Sequence, residues 1–174
     1  MIENLEKKDI YLHDDFFEDY HVIYDFVLNN HKKDKPIYKM CGEFFFDSHS
    51  GFPEQWISLF SKMGEFIKSR YRCTNAVASD ILSVVVYEQD SFKMPHTDDG
   101  STLLDSDKFD YTSIFYLNNS FTGGNLIFDD LDIVIDPIPG RLVVFPCYYL
   151  HSVSKIENGT RFVISKFWKT QNEN

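Results

Sequence analysis

A histidine and an aspartate stand two residues apart in Met94-Pro95-His96-Thr97-Asp98, and a second histidine, His151, follows the apolar run Arg141-Leu142-Val143-Val144-Phe145-Pro146 much later in the chain. Side chains at i and i+2 of an extended strand project to one face, so His96 and Asp98 can converge on a single point. Two imidazoles and one carboxylate on one side of a divalent metal make a facial triad, which suits Fe(II) and leaves the other coordination positions open. A histidine two residues from an aspartate is common in surface loops, and alone it favours an ordinary structural role. The full order is more demanding: Tyr87, His96 and Asp98, Gly123-Gly124 before a strand, Pro137-Ile138-Pro139-Gly140 before a strand ending at Phe145, then His151 and Arg161.

Groups so distant meet only if strands carry them. From about Asp80 the chain alternates short β-branched and aromatic runs with turn chemistry, the pattern of a β-sandwich or barrel. The runs are Ile81 to Glu88, Tyr111 to Leu117, Asn125 to Phe128, Leu131 to Asp136, Arg141 to Phe145, His151 to Val153 and Arg161 to Trp168. Gly123-Gly124, Asp129-Asp130, the Asp136 to Gly140 stretch and Asn158-Gly159 are predicted turns, and strands this closely spaced predict antiparallel sheets. Arg161 to Trp168 is apolar on both faces, with Val163 and Phe167 alternating against Phe162, Ile164 and Trp168, so its outer side requires a cover. The N-terminal part supplies one. Asp14 or Asp15 is expected to cap a helix in which Phe16, Tyr20, Ile23 and Val27 recur at helical spacing. A second helix is expected to start near Pro53, with Trp56, Phe60, Met63 and Ile67 along one side. These aromatic stripes are core, not a cofactor site, and the helices should pack on one sheet of the sandwich.

The bulk properties agree with a folded enzyme-sized unit. A chain of 174 residues fits one domain, residues 1–174, with a core that needs no covalent staples. The hydrophobic share of 43%, with 17 Phe and 10 Tyr, lies far from disordered compositions. Cys41, Cys73 and Cys147 are odd in number and widely spaced, which argues against a disulfide framework or a zinc site and for a reducing compartment. No apolar run approaches spanning length and the first residues are too polar for a leader, so the expected location is cytoplasmic, with no membrane partner. A net charge of -10 would repel a phosphate backbone, so no nucleic-acid partner is expected. The sequons at Asn118 and Asn158 are expected to be chance turn sequences.

Residues from about Tyr87 to Trp168 resemble the catalytic core of the 2-oxoglutarate- and Fe(II)-dependent dioxygenases, in particular the prolyl 4-hydroxylase-like branch. The matching stretches are Tyr87 to Asp98, Thr112 to Asn118, Phe121 to Phe128, Pro137 to Phe145 and His151 to Arg161. The resemblance implies a mainly β fold with flanking helices, a double-stranded β-helix or jelly roll of the cupin kind, with a catalytic core over about 80–170. It implies Fe(II) held by His96, Asp98 and His151, and 2-oxoglutarate and O2 as cosubstrates, with ascorbate as an accessory. Arg161 would partner the distal carboxylate of the oxoacid; a guanidinium fork matches a buried carboxylate with two parallel hydrogen bonds and keeps its charge. Tyr87 and Tyr116 match positions whose phenols line the oxoacid pocket, and Ser165, four residues past Arg161, would add a hydroxyl. A purely packing role competes for each of those three. Trp168 is expected to pack, and Lys155 departs from the proline of many relatives.

The implied reaction is hydroxylation of an unactivated C–H bond, most directly in a prolyl residue of a peptide or protein. A free amino acid or small metabolite is the alternative substrate, and a non-catalytic jelly-roll binding module or a cupin-type metalloenzyme without an oxoacid are the alternative classes. The presence of the whole triad and of Arg161 argues against both classes. The acidic segment from Asp99 to Asp110 is expected to be a solvated loop that could favour a basic peptide.

Overall fold

The computed structural model describes residues 5–30, 42–45, 54–79, 83–99 and 108–171, with 42–45 placed by backbone alone. In chain order the elements are β1 (Tyr11–His13), α1 (Tyr20–Asn30), β2 (Gly42–Phe45), α2 (Glu54–Tyr71), β3 (Asn75–Ala78), β4 (Ser83–Tyr87), β5 (Lys93–His96), β6 (Tyr111–Tyr116), β7 (Phe121–Gly123), β8 (Leu126–Phe128), β9 (Ile133–Ile135), β10 (Leu142–Pro146), β11 (His151–Val153), β12 (Ile156–Gly159) and β13 (Arg161–Gln171). A larger sheet runs β1-β10-β6-β13-β4-β2, a smaller one runs β5-β11-β8-β9, and β12 pairs with β7. Every pairing is antiparallel.

The spine is β13. Its first half pairs with β4, Arg161 opposite Tyr87, and its second half with β3, Trp168 opposite Ala78, while β6 runs along its other side. Strand alternation then sorts the side chains into two layers. Phe162, Ile164 and Trp168 of β13 join Val84, Val86, Phe115, Leu142 and Val144 against Ile23 and Val27 of α1 and Trp56, Leu59, Met63 and Ile67 of α2. The residues between them, Val85, Tyr87, Ile114, Tyr116, Val143, Phe145 and Val163, meet Leu126, Phe128, Ile133, Ile135 and Val153 of the smaller sheet. The result is the expected jelly roll with helices on one sheet, and Trp168 has the expected packing role. Among the described residues no helix is long and apolar enough to cross a membrane.

Two local expectations are corrected. The first helix starts at Tyr20, not after Asp14 or Asp15. Asp14 instead accepts from Arg141 at both carboxylate oxygens, 2.5 and 3.0 Å, and Asp15 adopts φ 50°, outside helical space. Both carboxylate oxygens are taken up by the buried Arg141 charge, which leaves none to cap a helix. Phe16 is buried all the same, as a loop residue whose N–H donates to the Gly140 carbonyl at 2.9 Å. Asn158-Gly159 is the end of a short strand against β7, closed by Gly159 at φ 82°. The expected start of the second helix near Pro53 and most of the acidic segment from Asp99 to Asp110 lie outside the described residues. Asn118 is structural: its side chain donates to Ser120 and to the Thr160 carbonyl and accepts from the Phe162 N–H.

Candidate active site

His96 closes β5, His151 opens β11, and the two are direct antiparallel partners with ring centroids 4.3 Å apart. Asp98 lies just beyond β5, where its N–H donates to the Cys147 carbonyl at 2.8 Å. Its Oδ1 is 3.5 Å from His96 Nε2 and its Oδ2 3.4 Å from His151 Nε2. One ligand atom from each residue falls within 4.8 Å of the others. Each Nδ1 lies 2.9 Å from a carbonyl oxygen, of Met94 for His96 and of Tyr149 for His151. A carbonyl only accepts, so the proton sits on Nδ1 and Nε2 presents a lone pair. Burial, reinforced by the adjacent His151, lowers the pKa of His96 and favours its neutral form. Two lone pairs and an anion aimed at one point repel each other without a cation between them. An N,N,O donor set with open positions suits Fe(II), so these residues fit that metal.

Arg161, at the start of β13, is 1% exposed. Its guanidinium carbon lies 4.7 Å from the Tyr87 ring centroid and 5.1 Å from that of Tyr116. Such stacking is worth up to about 2 kcal/mol per ring when desolvated, but it leaves the in-plane N–H groups unmatched. Among the described residues neither Nε nor either Nη of Arg161 has a partner at good hydrogen-bonding geometry, and neither does the Tyr116 hydroxyl; the one polar approach is a weak contact between Tyr116 and Arg161 themselves. Burying a charge without hydrogen-bonding partners costs several kcal/mol, so this pocket is built for an anion from outside the chain. A planar carboxylate matches the fork. Burial raises the Tyr116 pKa, with Arg161 pulling against it, which favours the neutral phenol. The residues therefore also fit an oxoacid.

The triad and Arg161 open on one cleft between the sheets, walled by Val85, Ile114, Val153 and Val163 and bordered by Tyr87 and Ser165. Ser165 follows Arg161 and Val163 on the same inward face of β13. Tyr116 stands behind Arg161 and does not border the cleft. Two surface grooves of about 560 and 660 Å³ hold none of these seven site residues, so size does not mark the chemistry here. Lys155 pairs with Asp90 at the surface, 2.6 Å.

Other participants went unread in the sequence. Thr112 donates to Asp98 Oδ2 at 2.9 Å. Gly124 lets the Arg161 stem pass: a Cβ there would lie 2.9 Å from Arg161 Cδ and 2.6 Å from Ile156 Cδ1, at φ 72°. Lys93 and Phe167 line the cleft beside the triad. The turn signal of Gly123-Gly124 was legible, but its link to Arg161 is a tertiary contact with no local mark.

Residues 82–169 match the family model of the 2OG-Fe(II) oxygenase superfamily. The chain belongs to that superfamily, whose members are oxidoreductases using Fe(II), 2-oxoglutarate and O2. A comparison with curated proteins finds no match. Among solved structures the chain is similar to the viral collagen prolyl hydroxylase of Paramecium bursaria Chlorella virus-1 in complex with 2-oxoglutarate, at TM-score 0.74 and 20% identity over 95% of this chain and 97% of that one. It is similar to a Pseudomonas putida prolyl-4-hydroxylase, at TM-score 0.72 and 15% identity over 99% and 97%. A third is a Trichoplax adhaerens prolyl hydroxylase bound to a hypoxia inducible factor peptide fragment, at TM-score 0.70 and 16% identity over 97% and 86%. At these identities the likeness establishes the fold, which the chain shares with these prolyl hydroxylases.

Proposed function

We propose that residues 1–174 form one catalytic domain that hydroxylates a prolyl residue in a peptide or protein. In this reading His96, Asp98 and His151 hold the metal, and Arg161 takes the distal carboxylate of 2-oxoglutarate. The Ser165 hydroxyl donates to the same carboxylate, and the Tyr87 and Tyr116 rings support the guanidinium. The bound iron and oxoacid supply a two-electron oxidation of C–H to C–OH, in which one atom of O2 enters the product and the other enters succinate as CO2 departs. The chain's own part is to orient and to exclude water: the Nδ1 contacts fix both imidazoles, and the four aliphatic walls keep the cleft dry.

The carrying observation is Arg161, a buried guanidinium whose N–H groups find no acceptor at good geometry among the described residues, in one cleft with the triad. The prolyl target is supported by the likeness to the three prolyl hydroxylases, one of them bound to a peptide.

Two measurements test the reading. Anaerobic titration of the protein with Fe(II) and 2-oxoglutarate is expected to develop metal-to-ligand charge-transfer absorption, and its absence would remove the enzyme assignment. Mass spectrometry of proline-containing peptides incubated with the loaded enzyme is expected to show a gain of one oxygen on proline. A gain confined to free amino acids would replace the peptide substrate with a metabolite.

A further inference from the structure

We propose that Thr112, backed by Cys147, is a positioning residue that restricts Asp98 to one-oxygen coordination of the metal. This rests on the triad reading above and names two residues outside it.

Thr112 is fully buried in β6. Its Oγ1 donates to Asp98 Oδ2 at 2.9 Å and lies 3.3 Å from Cys147 Sγ. A threonine hydroxyl has one proton, and an ionised carboxylate can only accept. The Thr112 proton is thus committed to Asp98, and the contact with Cys147 must run the other way, thiol to hydroxyl oxygen. A thiol carries one proton of its own to give. A directed chain follows: Cys147 S–H to Thr112 O–H to Asp98 carboxylate, each link polarising the next.

The backbone fixes the same corner. The Asp98 N–H donates to the Cys147 carbonyl at 2.8 Å, and the Cys147 N–H donates to the Asp110 carbonyl at 2.9 Å. Phe145 and Thr112 are register partners in the β10–β6 ladder. Main chain and side chain of Asp98 are therefore held by one rigid element pair, and its carboxylate cannot turn freely. An unrestrained carboxylate could offer both oxygens to a cation and occupy a further position. Both oxygens face the imidazoles, Oδ1 3.5 Å from His96 Nε2 and Oδ2 3.4 Å from His151 Nε2. The Thr112 proton makes Oδ2 the poorer donor, so Oδ1 would be the ligand and further positions on the metal would stay open for the oxoacid and O2.

The test uses Co(II) as an air-stable probe, without turnover. Its affinity is measured for the full chain and for Thr112→Val, Thr112→Ser and Cys147→Ala. Infrared difference spectra of Co(II)-loaded minus metal-free protein, with 13C-labelled aspartate, report the splitting of the carboxylate stretches, wide for one-oxygen and narrow for two-oxygen coordination. The native chain and Thr112→Ser are expected to give the wide splitting. Thr112→Val is expected to narrow it and to weaken Co(II) binding by about 10-fold. Cys147→Ala, which keeps the threonine donor, should fall between. Thermal unfolding of the metal-free proteins shows that each variant is folded. Native-like splitting and affinity in folded Thr112→Val would overturn the positioning role while leaving the triad intact. Failure of the native chain to bind Co(II) would overturn the triad reading and this inference with it.

Discussion

The two faces of the larger sheet are made by the same strands and differ in how they treat a buried cation. Toward the helices, β13 presents Phe162, Ile164 and Trp168 in an apolar layer, and the one charged residue there, Lys166, is matched within the chain. Its ammonium donates to the Ser79 carbonyl and lies 5.2 Å from the Phe60 ring centroid. Toward the smaller sheet, the same strand presents Arg161, whose N–H groups have no acceptor at good geometry among the described residues. A cation closed by its own chain belongs to the architecture, whereas a cation left with unmatched donors in a dry cleft belongs to a ligand. Neighbouring residues of one strand thus serve stability on one side and binding on the other.

That contrast can be broken by substitution, and the largest effect is expected on the helix face. Trp168→Ala should destabilise the protein by about 3–5 kcal/mol through its cavity and through loss of the indole N–H donation to Ser113 at 2.8 Å; chemical denaturation measures it. Arg161→Met should act oppositely without ligands, stabilising the protein by about 1 kcal/mol, because removal of unmatched buried charge outweighs the forfeited stacking on Tyr87 and Tyr116. Adding 2-oxoglutarate at 100 times its Kd should stabilise the native chain by about 2.7 kcal/mol and leave Arg161→Met unmoved. If Arg161→Met unfolded as readily as Trp168→Ala, the distinction between the faces would be lost.

A smaller effect sharpens it. Gly124→Ala should cost about 1–2 kcal/mol from its left-handed backbone and should displace the Arg161 stem, 2.9 Å from the added Cβ. Oxoacid binding, followed by thermal shift, should weaken more than Co(II) binding. Equal losses would mean that the turn supports the whole barrel and not the guanidinium.

That His96, Asp98 and His151 meet and share a cleft with Arg161 was legible from their order along the chain and its resemblance to a known family. His151 and Arg161 also open strands that alternation and turn residues mark, whereas the strand ending at His96 has no such mark. The cover on β13 was legible too, since a strand apolar on both faces demands two layers. What escaped has no periodic mark. Thr112 looks like any β-branched strand residue, and only the approach of Asp98 from another strand makes its hydroxyl a positioning group. β1 is three residues long and exists because β10 offers it an edge. Asp14 has every local property of a helix cap, but Arg141, far along the chain, competes for its carboxylate and wins. Local chemistry predicted what each residue can do, and tertiary competition decided which option it took.

The Asp14–Arg141 pair carries the smallest expected effect, and its pH dependence has a definite sign. The hydrogen bond from Arg141 holds the Asp14 carboxyl below its ordinary pKa, with burial opposing. The folded state therefore binds this proton more weakly than the unfolded state does. The pair's stabilisation is present in full above the unfolded aspartate value and is lost as pH falls through the depressed folded value. Asp14 is half exposed, 50% against 11% for Arg141, so solvent screening limits the contribution to about 1 kcal/mol. Asp14→Asn keeps one acceptor oxygen and removes the charge. Its stability deficit at neutral pH, measured by urea unfolding, should shrink to nothing as the native carboxyl protonates. A deficit that persisted in acid would show that Asp14 acts through the shape of the turn before Asp15 and Phe16, and not through its charge on Arg141.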